Sequence, residues 1–98
     1  MTKQIEKLET AQDFYDFFSV IPDEKWLACS FKNAKGQACA SGHLDNYVVS
    51  GKLTMILGQP VFYINDGKDP RYSQSHPKER VLAALKDAGA TDMGTVEA

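Results

Sequence analysis

The sequence predicts an α+β fold in one small domain. Three observations lead there: a capped amphipathic segment near the N-terminus, a turn signal between two extended runs at about 26–40, and a second capped helix at 77–88. The composition agrees with a globular chain. Of 98 residues 43% are apolar and ten are aromatic (five Phe, four Tyr, one Trp), enough to fill one core without a metal or disulfide staple.

The N-terminal helix is signalled by Thr10, three residues ahead of Asp13, a capping box with Asp in place of Glu. Phe14, Phe17, Phe18 and Ile21 then recur at helical spacing, and Pro22 ends the run because it cannot donate to the preceding turn. Ile5 and Leu8 either extend this helix backwards or lead into it. From Trp26 to Phe31 the chain reads as a strand. Asn33-Ala34-Lys35-Gly36 supplies turn residues, with a glycine able to take positive φ, and Gln37 to Ala40 return antiparallel. This predicted β-hairpin puts Cys29 and Cys39 on neighbouring strands. Trp26 reads as a core residue closing the first helix onto the hairpin.

The middle is ambiguous, because Tyr47-Val48-Val49 and 53–57 are short apolar runs that periodicity alone does not assign. A helix is favoured at 41–49, and Val61-Phe62-Tyr63-Ile64 fits a buried strand or one helical turn. Residues 65–75 gather Asn, Asp, Gly, Pro and Ser into a loop of about eleven residues, long for a domain of this size. The last helix has Pro77 at its first position, Glu79 at its third and Gly89 beyond its end, with Val81, Leu82, Leu85 and Ala88 as the inward stripe. The tail at about 90–98 shows no apolar period and is expected to fray.

Candidate chemistry concentrates at two places. Cys39-Ala40-Ser41-Gly42-His43 groups reactive types: were a helix to begin near Ser41, its free amides would favour a thiolate at Cys39, with His43 or the distant His76 as base. The plain alternative is a buried small thiol at a junction where Gly42 permits close packing. The set Cys29, Cys39, His43 and His76 is chemically suited to zinc, but cysteines ten apart lack the usual paired spacing, so no metal site is assigned. In the loop, Asn65, Asp66, Lys68, Arg71 and Tyr72 combine carboxylate, cations and a ring, which makes them the candidate binding residues; any turn also asks for Asn, Asp and Gly. The spacing does not match a calcium loop. There is no phosphate-binding glycine loop or nucleophile elbow, and no cofactor is expected.

A net charge of −2 with no basic run disfavours duplex nucleic acid as a partner. No stretch approaches the ~18 apolar residues of a membrane helix and the first residues lack a signal-peptide core, so a cytoplasmic location with both cysteines as thiols is expected.

Three segments together, Phe18-Ser19-Val20-Ile21-Pro22-Asp23-Glu24-Lys25-Trp26, Cys39-Ala40-Ser41-Gly42-His43-Leu44, and Ile64-Asn65-Asp66-Gly67 ahead of the Pro77-Lys78-Glu79-Arg80-Val81-Leu82 helix, carry a resemblance. The chain resembles a family of small uncharacterised proteins of bacteria and their phages with IPxxKW, CAxGH, IND and TPKERVxAAL segments, over about 10 to 88. It departs at His76, where a threonine cap is the pattern, and in a short middle segment. The resemblance implies a mobile-element setting and no activity.

Three functions follow as expectations. The first is a non-enzymatic accessory protein that binds a host protein or small ligand through the long loop and hairpin. The second is a cysteine-dependent hydrolase or transferase using Cys39. The third is an oligomer-forming module whose run at 53–57 completes a subunit interface. Cys39 and Asp66 are further expected to be neighbours, with Asn65 or Asp66 accepting hydrogen bonds from amides near Gly42 and His43.

Overall fold

The computed structural model describes residues 5–91 and is helical. Five α-helices follow in order: α1 (Ala11–Ser19), α2 (Ala40–Leu44), α3 (Tyr47–Leu57), α4 (Val61–Asn65) and α5 (Pro77–Asp87), with single 3-10 turns at Ile5–Lys7 and Asp23–Lys25. This corrects the predicted α+β class. Where the hairpin was expected, only isolated bridges form, Trp26 with Ala38 in parallel and Lys32 with Ala38 in antiparallel sense.

The hairpin fails for a physical reason. Its turn is real: Gly36 sits at φ 82° and the Asn33 N–H donates to the Gln37 carbonyl at 3.1 Å. Its ladder is not, because Cys29 takes a left-handed φ of 65°, which breaks the extended run. A few backbone groups still pair across the segment, as the Leu27 N–H does with the Ala38 carbonyl at 3.0 Å, but others are met by side chains at the end of α4: the Leu27 carbonyl accepts from Asn65 Nδ2 and the Cys29 N–H donates to Asp66 Oδ1.

The two capped helices stand where their signals put them. Thr10 Oγ1 accepts from the Asp13 N–H at 3.1 Å while Asp13 Oδ2 accepts from the Thr10 N–H at 3.2 Å, completing the capping box of α1. At α5, Pro77 opens the helix, and His76 Nδ1 does the capping a threonine would do, accepting from the Lys78 N–H at 3.1 Å. Gly89, at φ 117°, ends it. The favoured helix at 41–49 is two helices, since Asp45 turns left-handed at φ 47° and Asn46 caps a new start by accepting from the Val49 N–H. Val61–Ile64 take the helical alternative, and α4 also takes in Asn65, so the long loop runs over 66–76 rather than 65–75.

α5 packs against α1 and α4, and the core lies between them. Leu8, Phe14, Phe18, Leu44, Leu53, Ile64 and Leu85 are among its fully enclosed side chains. Trp26 joins the core as expected, its ring 5.5 Å from that of Phe18 and its Nε1 donating to the Ile21 carbonyl. Of the tail, Ala90 is buried and the Thr91 N–H donates to Gln12 Oε1 at 2.9 Å. The rest of the expected fraying lies outside the described residues.

Candidate functional site

The polar centre of the molecule is the C-terminal end of α4. Asn65 is fully buried; its Oδ1 accepts from the Ala40 N–H at 3.0 Å and its Nδ2 donates to the Leu27 carbonyl at 2.9 Å. Asp66 Oδ1 accepts from the Cys29 N–H at 2.7 Å. The buried guanidinium of Arg80 reaches across from α5 and donates to the carbonyls of Asn65 at 2.7 Å, Gln74 at 2.7 Å and Ile64 at 3.3 Å. A cation set against the terminal carbonyls of a helix is favourably placed, and here it also supplies donors that burial would otherwise deny them. Arg80 was not singled out from sequence. Its signal was its spacing: Arg80 stands one residue before Val81 and four before Ala84, on the buried face of α5.

The expected meeting of Cys39 and Asn65-Asp66 is therefore present without a sheet. The amides held are those of Ala40 and Cys29 rather than of Gly42 and His43. Gly42 serves a different end: a Cβ there would overlap the Phe31 carbonyl oxygen and lie 2.9 Å from the Ala38 Cβ. Only glycine lets α2 lie this close to the 26–39 segment.

Cys39 and His43 have separate occupations. Cys39 is buried at the start of α2, its Sγ accepting from the Gly42 N–H at 3.4 Å. The His43 ring lies edge-on to Trp26 with centroids 5.1 Å apart, and its Nε2 is 3.0 Å from the Lys25 carbonyl. Burial lowers the His43 pKa from its ordinary value, outweighing the backbone contact to Lys25. His76 is taken by its cap and by the Asp23 carbonyl, 3.1 Å from Nε2. Among the described residues no three His, Cys, Asp or Glu side chains gather as metal ligands.

The candidate binding loop turns Asp69 and Tyr72 inward and leaves most of its other residues exposed. Tyr72 is buried, its hydroxyl donating to Asp87 Oδ2 at 2.7 Å, and that bond together with burial raises its pKa. Asp69 receives the Arg71 guanidinium, with Nη2 to Oδ2 at 2.8 Å, and the hydrogen bonds from Arg71 and Gln59 hold its carboxyl well below the usual range. Arg71 itself remains exposed and stacks over the Tyr72 ring, and Lys68 is exposed. Of the five residues, Asn65 and Tyr72 support the fold, Asp66 pins Cys29, and Lys68 and Arg71 face solvent.

The opposite character appears on the outer side of α3. Tyr47 is 95% exposed, Met55 85%, Val48 69%, Phe31 52% and Phe62 47%. Ser41 is common to adjoining depressions, one bordered by Phe31, Tyr47 and Ser50 and about 320 Å³ in volume, another by Tyr47, Gly51, Thr54 and Phe62 and about 360 Å³. A third, bordered by Cys29, Cys39, Phe62 and Asp66, opens beside them. Together they make a shallow apolar groove along α3 with aromatic rings on its rims. Sequence reasoning marked 53–57 for an interface; of that run Met55 is exposed and Leu53 is buried, and the exposed rings of the groove are Phe31, Tyr47 at the start of α3 and Phe62 on α4.

No protein-family model, curated protein or solved structure matches the chain. The segments that carry the motif resemblance are the ones that meet: Asn65 holds Ala40, Arg80 holds Asn65, and Trp26 packs on His43. Among the described residues, no helix is long and apolar enough to cross a membrane.

Proposed function

We propose that the chain is a non-enzymatic accessory protein that binds an apolar surface of a protein partner in the groove framed by Phe31, Tyr47 and Phe62. The carrying observation is Tyr47: a tyrosine 95% exposed at the first turn of a helix, between two adjoining depressions, with Phe31 bordering one and Phe62 the other. Large apolar rings left in water on a small domain mark an interaction surface, and aromatic anchors dominate binding energy at such surfaces. Several polar residues support this reading from the other side, since Asn65, Asp66, Asp69, Tyr72, Cys39 and His43 have hydrogen bonds within the fold. The motif resemblance supports a bacterial or phage setting.

Site-specific photo-cross-linking tests the proposal. A benzophenone amino acid in place of Tyr47 is expected to give covalent protein adducts in the native cell background, and the same probe at Lys68, on the polar loop, is expected to give none. Adducts from position 68 without adducts from position 47 would move the binding face to the 66–76 loop.

A further inference from the structure

We propose that the partner seated in this groove is a second copy of the chain, docked antiparallel on α3 about a two-fold axis at Gly51. The proposal rests on the groove being a protein-binding face and names what fills it.

α3 is apolar on both sides. It buries Val49 and Leu53 against the core, yet its outer side keeps Tyr47, Val48 and Met55 in water, an exposed apolar patch of the kind that marks a protein contact. Its one charged residue, Lys52, lies off this outer ridge and bridges Glu9, with Nζ to Oε2 at 2.7 Å.

The outer ridge is also self-complementary. Tyr47, Gly51 and Met55 are four residues apart on one helical row, large, small, large, and the order is the same read from either end about Gly51. In an isologous contact, residue i of one copy meets j of the other and j meets i. An antiparallel pair centred at Gly51 sets Tyr47 of each copy against Met55 of the other, a ring-on-thioether contact, and lets the two backbones approach at the glycines. Within its own chain nothing explains that glycine: a Cβ at position 51 would meet no atom within 4 Å, and alanine is the better helix former.

Charge and area fit a second copy. Of the residues bordering the two α3 depressions only Asp45 is charged, and Lys32 Nζ neutralises it at 3.0 Å, so two identical faces meet without like-charge repulsion. An aromatic side chain presents ~200 Å². Tyr47 almost whole and half each of Phe31 and Phe62, with Met55 and Val48, offer roughly 600 Å² per copy, at the lower end of a stable specific interface.

Light scattering and sedimentation of the intact protein give the first readout, an expected mass twice 10.8 kDa that falls on dilution. Gly51→Arg, placed in open solvent, is expected to keep the circular dichroism spectrum and weaken self-association at least tenfold; Met55→Glu provides the same readout without touching the glycine. With Cys29→Ser as background, Gly51→Cys is expected to form an intermolecular disulfide under oxidised glutathione, whereas Ser75→Cys is not. A monomer at millimolar concentration, or a dimer that Gly51→Arg and Met55→Glu leave intact, would overturn the proposal. A monomer that still yields cross-links to other proteins from position 47 overturns the self-association alone; the absence of any adduct from position 47 removes the groove reading with it.

Discussion

The end of α4 and the outer face of α3 are built from opposite materials. At the end of α4, a buried amide and a buried guanidinium meet the backbone groups of Leu27, Ala40, Ile64, Asn65 and Gln74; on α3, a tyrosine ring, a valine and a thioether stand in water. Buried polar groups are costly unless fully paired, so the first region is sensitive to the loss of a single atom. Exposed apolar groups cost the folded monomer little, so the second region is free to change without unfolding it. The contrast separates what holds this molecule together from what it offers to others.

The largest effect is expected at Asn65. Asn65→Leu keeps the volume but strands the Ala40 N–H and the Leu27 carbonyl, and should cost about 4 kcal/mol in urea unfolding, a large part of the 5–15 kcal/mol of an ordinary domain. A cost under about 1 kcal/mol would show that water reaches these groups and that the α4 end is not a buried hub. Gly42→Ala comes next at about 3 kcal/mol, because the overlapped Phe31 carbonyl accepts from the Cys39 N–H and is not free to retreat. Tyr72→Phe removes one hydrogen bond, to Asp87, and should lower stability by about 1 kcal/mol, or roughly 4–8 °C in melting temperature. An unchanged melting temperature combined with lost partner binding would return the loop to the binding face.

The pH response sharpens the same comparison. His43 has a lowered pKa through burial, so the unfolded chain binds the proton more readily than the folded one. Stability is then full above the ordinary histidine value of ~6.5 and falls as pH drops below it. Melting curves between pH 8 and 5 should show this decline, and His43→Gln should flatten it; an NMR titration midpoint for His43 above the ordinary value would reverse the sign and defeat the expectation. The smallest effect on stability belongs to the groove. Tyr47→Ser should change unfolding free energy by less than about 0.5 kcal/mol while abolishing adduct formation and self-association. A large destabilisation would mean that this ring belongs to the fold.

What the sequence disclosed follows the range of the interactions. α1 and α5 were legible because their signals are local: a hydroxyl and a carboxylate three residues apart, a proline at the start, a glycine past the end. The turn at 33–36 was legible for the same reason. Its strands were misread because the partners of the Leu27 carbonyl and the Cys29 N–H come from Asn65 and Asp66, far along the chain, and apolar runs alone do not reveal that a side chain will take the place of a neighbouring strand. The proximity of Cys39 and Asn65-Asp66 was foreseen from the connectivity of a small core, whereas the roles were not: Asn65 and Tyr72 carry the polarity that suits a binding loop and use it inward. The exposed face of α3 was hidden because Tyr47 and Val48 have the composition of core residues, and only the position of Asn46 as a cap decides which way they point.

The bonds from Asn65 reach back 25 residues to Ala40 and 38 to Leu27. Contacts of such separation cannot close until the chain between them has been brought to one place, so the 26–39 segment gains its shape only when α4 docks against α2. The reverse holds in the native state: a transient release of α4 frees the Cys29 and Ala40 amides in one event, since Asp66 and Asn65 hold them. Cys39 sits buried at that seam while Cys29 is already exposed, so the molecule carries its own clock. The rate at which a thiol reagent reaches Cys39, after Cys29 has reacted, counts how often the seam opens.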